Sequence, residues 1–334
     1  MFVATAILLA SSFSVGTFAK QSVPRSFRSR STMSGRSAAN KTWTKVDMYE
    51  GQAFLDQWKF ETYPNGDPTH GFVNYQSQAD ALNKKLAIVD GKTLTLAVDD
   101  FTPLKSGQNR DSVRISSKKT YNSGLFIADF AAMPAACGAW PAWWSVGPNW
   151  PHGGEIDVIE GVDVKGSNRM TLHTGDSCTI DRAQQTGKAA GTECKSSNGD
   201  NNGCGVIDPD PTSFGQGFNQ AQGGVFAHEW LPESGIRIWH FQRSNIPSDI
   251  TSGSPNPANW PAPAAAFPAS PGCDFAKQFT DHVLTIDTTI CGDWAGSSGS
   301  YSASGCPGTC ADIVANAANF ATAKWKVNYI AVYN

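Results

Sequence analysis

The sequence predicts an all-β domain, a sandwich or barrel of short antiparallel strands. Three observations carry that prediction. About a dozen short runs alternate apolar and polar residues, the period of a strand with one buried face. Turn-forming residues punctuate them, with 32 Gly and 19 Pro in 334 residues. Helical patterns are confined to two short stretches, too few for the β-α-β alternation of a parallel sheet. Charged residues make up only 16% and aromatics 11%, with 11 Trp. That balance is the reverse of a disordered chain, and it excludes a coiled coil or helical bundle. A net charge of −3 gives no basic field for a nucleic acid, so no such partner is expected.

Taken in order, residues 1–19 are weakly apolar and end in small residues around Thr17-Phe18-Ala19. They read as a signal peptide, although the usual basic start is missing, with a short membrane anchor as the alternative. Residues 20–44 are rich in Ser, Arg and Lys and contain no Asp or Glu up to that point. They read as a flexible or processed leader, with an N-glycosylation sequon at Asn40-Lys41-Thr42. Residues 45–334 form one domain. Residues 86–89 and 93–98 flank Asp90-Gly91 and predict a hairpin. Further strands are expected at 71–75, 112–116, 124–130, 143–146, 155–160, 170–173, 224–230, 236–241, 283–287 and 324–333. Short helices are expected near 275–282 and 311–322. The Pro/Ala-rich segment 254–271 reads as a surface loop.

The eight cysteines are even in number, as an oxidised extracellular protein requires. Eight allow 105 pairings, of which Cys194–Cys204 is the locally obvious one. Zinc is the competing reading for Cys306-Pro-Gly-Thr-Cys310, but no second ligand pair accompanies it. A secreted monomer, free of the membrane once the signal is cleaved, is the expectation.

The chemistry concentrates in Glu155-Ile156-Asp157-Val158-Ile159-Glu160. In a strand Glu155 and Asp157 share a face, and Glu160 is out of phase. One bulged residue between Asp157 and Glu160 returns it to their face. Three carboxylates side by side repel one another and force at least one to hold its proton. That suits retaining glycoside hydrolysis, which needs an ionised nucleophile and a protonated acid about 5–5.5 Å apart. An exposed acidic edge or a calcium site are the alternatives. Just upstream, Trp140, Trp143, Trp144 and Trp150 fall within eleven residues. Apolar sugar faces stack on such rings. Alternation pairs Trp140 with Trp144, read as core, and leaves Trp143 and Trp150 for the groove.

The run Gly-Gly-Glu-Ile-Asp-Val-Ile-Glu-Gly-Val resembles the signature of glycoside hydrolase family 16, in its laminarinase-type form with the extra residue. Trp-Pro-Ala-Trp-Trp, Gly-Pro-Asn-Trp-Pro, Leu-His-Thr-Gly and Cys-Gly-Asp-Trp-Ala-Gly are similar to runs of the fungal secreted endo-1,3(4)-β-glucanases. The resemblance covers about residues 45–334. It implies a β-jelly-roll of two curved antiparallel sheets with a substrate cleft on the concave face. It implies Glu155 as nucleophile, Glu160 as acid and base, Asp157 as their hydrogen-bonding tuner, and His173 as the neighbouring histidine. It also implies sugar contacts from Asn74, Arg114 and Trp294, and a disulfide from Cys137 that ties the Trp-rich loop. The partner is a β-glucan, and the reaction needs no cofactor or resident metal. Rival readings are a cell-wall glucan transglycosylase and a catalytically silent glucan-binding module.

Overall fold

A computed structural model describes residues 41–334 except 165, 182, 198 and 199. The signal segment 1–19, nearly all of the leader 20–44 and Asn40 of the sequon lie outside the described residues. The described residues form one unit.

Two large antiparallel sheets face each other. The first runs in the order Ala265–Pro268, Gly235–Gln242, Gly224–Leu231, Gly124–Ala132, Lys324–Tyr333, Thr93–Ala97 and Ala87–Asp90, with Lys45–Tyr49 also pairing onto Lys324–Tyr333. The second runs Lys188–Ala189, Cys204–Ile207, Arg169–His173, Glu155–Glu160, Ala139–Val146, Val283–Ile290, Arg114–Ser117 and Trp58–Phe60. Neighbours along the sheets are often distant in sequence, the connectivity of a jelly-roll rather than a simple meander. The predicted 112–116 strand divides at Val113. Arg110–Ser112 pairs instead, in parallel, with Val73–Tyr75. The expected hairpin forms, Ala87–Asp90 against Thr93–Ala97.

Alternation explains the core. Phe126, Phe130, Phe226 and Trp230 of the first sheet meet Trp143, Ile156, Ile159, Leu172, Leu284 and Ile286 of the second in one continuous apolar layer. A second cluster lies on the other side of the first sheet, where Trp239 and Phe241 pack against Trp260. It corrects the expectation for 254–271. That stretch is no plain loop: Ala265–Pro268 is an edge strand on Gly235–Gln242, and the 3₁₀ turn Pro257–Asn259 precedes Trp260. Its short alternation hid among prolines that mark an edge. The two predicted helices are single turns, Phe275–Gln278 and Cys310–Val314, the latter followed by the 3₁₀ turn Ala317–Phe320.

All eight cysteines are bonded: Cys137–Cys306, Cys178–Cys273, Cys194–Cys204 and Cys291–Cys310. Cys306 and Cys310 join different partners, which removes the zinc reading. No helix among the described residues is long and apolar enough to cross a membrane.

Candidate active site

The strand Glu155–Glu160 lies near the middle of the second sheet, between Ala139–Val146 and Arg169–His173. Its ladder to Ala139–Val146 slips once. Asp157 faces Trp144 and Ile159 faces Trp143, so Val158 is the extra residue. The predicted bulge therefore exists, and it sorts the side chains. Ile156, Val158 and Ile159 are buried, at most 1% exposed. Glu155, Asp157 and Glu160 turn to the opposite face. A bulge strips ladder partners from the backbone. Here the buried Asn168 replaces them. Its Oδ1 accepts from the Glu160 N–H at 2.9 Å, and its Nδ2 donates to the Val158 carbonyl at 2.8 Å.

Register then brings the other groups in. His173 lies directly opposite Glu155 and Thr171 opposite Asp157. The His173 Nε2 stands 3.4 Å from Asp157 Oδ2. Its Nδ1 meets the Ser196 hydroxyl at 2.8 Å. Among the described residues, the set close enough to hold a cation is Glu155, Asp157 and His173, whose ligand atoms lie within 4.8 Å of one another. It coincides with the carboxylate cluster.

Two indoles cap the outer carboxylates. Trp140 Nε1 donates to Glu160 Oε1 at 3.0 Å, and Trp150 Nε1 donates to Glu155 Oε2. Burial, and then the charge of Asp157, push Glu155 up to about 8. Burial and the charge of Glu155 raise Glu160 to about 7, with His173 opposing the shift. Burial and the charge of Glu160 hold Asp157 well above the usual carboxylate range. The three acids therefore retain protons at pH values where isolated carboxyls are ionised, and they titrate as a unit.

On the Val283–Ile290 side, Arg114 pairs with Asp287 at 3.2 Å. Its guanidinium lies 4.8 Å from the Trp144 ring centre and 5.2 Å from that of Tyr63. Trp294 packs edge-on against Trp140 at 5.6 Å. These contacts join Arg114 and Trp294 to the carboxylate face. Asn74 lies on the short strand Val73–Tyr75, which pairs with Arg110–Ser112. It is exposed and donates to Asp111 Oδ1 at 3.0 Å.

Trp143 corrects the sequence reading. It is 0% exposed and packs in the core near Phe130. Trp140 and Trp144, read as core, lie on the carboxylate face. The alternation was right and its phase inverted: Trp143 pairs in register with Ile159 and Ile286, both core residues. Trp150 is 47% exposed, as expected for a groove residue. Sequence reasoning missed Asn168, Ser196 and Arg169, whose positive charge opposes the upward shifts of Asp157 and Glu160. Only Arg169, two residues before Thr171 on the same strand face, carried a readable signal.

A carboxylate trio with Asp157 buried and Glu155 and Glu160 half-buried, beside half-buried Trp140, Trp144 and Trp294 and the exposed Trp150, is the kind of site a polysaccharide-cleaving protein needs on the free face of an antiparallel sandwich. The comparisons agree. The model of an XgeA-like, catalytic GH16 domain matches residues 58–333. A probable glycosidase of Schizosaccharomyces pombe is 45% identical over 88% of this chain and 70% of its own length. The endo-1,3(4)-β-glucanase xgeA of Emericella nidulans is 39% identical over 90% of this chain and 48% of its own. The chain thus spans less than half of that relative. A solved structure of laminarinase 16A from Phanerochaete chrysosporium, with glucans in donor and acceptor sites, superposes with a TM-score of 0.84 at 42% identity, covering 88% of this chain and 100% of that one. An elongating family 16 β-1,3-glucosyltransferase gives a TM-score of 0.81 at 39% identity, with 88% and 100% covered. The chain belongs to glycoside hydrolase family 16.

Proposed function

We propose that this chain is a secreted, retaining endo-β-glucanase that cuts β-1,3 and mixed β-1,3/1,4 glucans. The observation that carries the reading is the convergence of Glu155, Asp157 and Glu160 on one face through the Val158 bulge. Glu155 attacks the anomeric carbon and forms a glycosyl-enzyme. Glu160 gives its proton to the leaving oxygen and then accepts one from water. Its raised pKa keeps that proton available in mildly acidic solution. Asp157, whose ionisation is suppressed by burial and by the charge of Glu160, shares a proton with Glu155. That proton sits on Asp157 when Glu155 attacks as the carboxylate. The Trp140 N–H on Glu160 Oε1 leaves Oε2 to carry the transferred proton.

Trp144, Trp150 and Trp294 offer faces for the apolar sides of glucose rings, and Arg114 offers donors to their hydroxyls. Names of the similar proteins support β-1,3-linked glucan as substrate. Transfer to a sugar acceptor is the second reading, favoured by the similarity to a glucosyltransferase. Reducing ends and product masses from laminarin, lichenan and carboxymethylcellulose test both. Release from the first two with little from the third is expected. Products longer than the substrate would favour transfer, and equal or greater activity on the β-1,4 polymer would contradict the reading.

A further inference from the structure

We propose that Ser196 is a positioning residue: its hydroxyl fixes the His173 ring from the Nδ1 side, so that Nε2 faces Asp157. This rests on the reading of the carboxylate trio as the reacting centre. His173 is 7% exposed and Ser196 is 3% exposed. The Ser196 hydroxyl and Nδ1 lie 2.8 Å apart, and no other side-chain bond of that hydroxyl is found among the described residues. A hydroxyl rotates, so it donates to an unprotonated Nδ1 or accepts from a protonated one. Without it, an Nδ1–H would be buried with no acceptor, an expensive state. A bare Nδ1 would likewise lose its donor, so the ring would lose the bond that fixes its rotation.

The backbone explains why Ser196 sits there. Thr174 N–H donates to the Cys194 carbonyl at 2.9 Å, and Ser196 N–H donates to the Thr174 carbonyl at 2.9 Å. These bonds register Ser196 against the end of the His173 strand. The Cys194–Cys204 disulfide closes the segment at a separation of 10 residues. Gly203, at its far end, lies so close that a Cβ there would meet the Leu172 carbonyl oxygen at 2.5 Å and the His173 ring at 2.9 Å. The ring is thus held on two sides by one disulfide-closed segment.

The consequence reaches the acids. Charged groups around His173 are Glu155, Asp157 and Glu160 on the adjacent strand, Arg169 on its own, and the exposed Lys195 beside Ser196. A ring held in this way keeps Nε2 beside Asp157 as a hydrogen-bonding partner of the trio, and a ring released from Ser196 does not.

The test compares Ser196→Thr with Ser196→Val, which differ in shape only by hydroxyl against methyl, together with Ser196→Ala. Imidazole ¹⁵N spectra across pH, with His173→Gln to assign the signal, read the ring directly and need no substrate. Ser196→Thr is expected to keep the wild-type Nδ1 and Nε2 shifts, while the Val and Ala variants displace the Nδ1 signal. On laminarin, kcat of the Val variant is expected to fall about tenfold with KM within about twofold, and the acidic limb of its profile to rise by about one pH unit. Thr and Val variants with the same spectra and the same profile would overturn the proposal. So would a Val variant whose only change is a lower melting temperature. A wild-type protein inactive on every glucan would remove the functional reading, and the ¹⁵N comparison would still decide the role of Ser196.

Discussion

The two faces of the strand Glu155–Glu160 are built from alternate residues of one six-residue run, and they obey opposite rules. Toward the core, Ile156, Val158 and Ile159 meet Trp143 in a dry layer where volume and shape decide the outcome. Toward the free side, three acids are crowded against each other and their preferred charge states are suppressed. The first face contributes stability, and the second is tolerated at a cost to it. Neighbouring tryptophans repeat the division: Trp143 is core, whereas Trp144 lies over Arg114 on the acid face. The lesson is that substitutions one residue apart should separate into loss of folding and loss of reaction.

The largest effect is expected from Glu155→Gln. It should lower laminarin turnover by about 10⁴-fold with the melting temperature maintained or raised, measured by reducing-end release and thermal denaturation. Glu160→Ala should lose about 10³-fold, and added azide should restore part of the rate because it attacks the glycosyl-enzyme without needing a base. Across the strand, Trp143→Ala should cost about 3–5 kcal/mol of stability in denaturant titrations, while the folded fraction keeps its kcat. Trp144→Ala should do the reverse, weakening turnover with little change in the transition. If the two tryptophan variants behaved alike, the division between faces would fail. Asn168→Ala crosses the division, since it frees both backbone groups of the bulge. It should cost about 1–3 kcal/mol and also lower activity.

The smallest effect is a pH slope. Glu155 is raised from 4.5 to about 8 in the folded protein. Its contribution to stability is therefore fully present in acid and is lost as pH rises through about 8. The melting temperature of the wild type should drop over that window, and the drop should be shallower in Glu155→Gln.

Much of this was legible in the sequence because it rests on local rules. Alternation, turn dipeptides and the odd spacing of Glu160 are readable from neighbours, and the structure has the bulge where the spacing demanded one. The phase of the Trp-rich strand was not readable. Pro141 and two adjacent tryptophans satisfy either face, and only pairing with Ile159 and Ile286 decides between them. Asn168 and Ser196 were invisible for a different reason. Their roles come from hydrogen bonds that chain folding creates, Asn168 to a strand eight residues back and Ser196 to a histidine 23 residues away. An isolated Asn or Ser in a polar stretch announces nothing. The edge strand Ala265–Pro268 was obscured because prolines around it mimic an open loop.

The central claim is that Glu155 becomes covalently bonded to the sugar. Incubation with a 2-deoxy-2-fluoro-β-laminaribiosyl fluoride slows breakdown of that intermediate, and peptide mass spectrometry then locates the label. One fluoroglycosyl group is expected on the peptide that contains Glu155, fragmenting at that residue. A label on Glu160 or on any other residue, or laminarin hydrolysis that proceeds while no adduct forms, would contradict it.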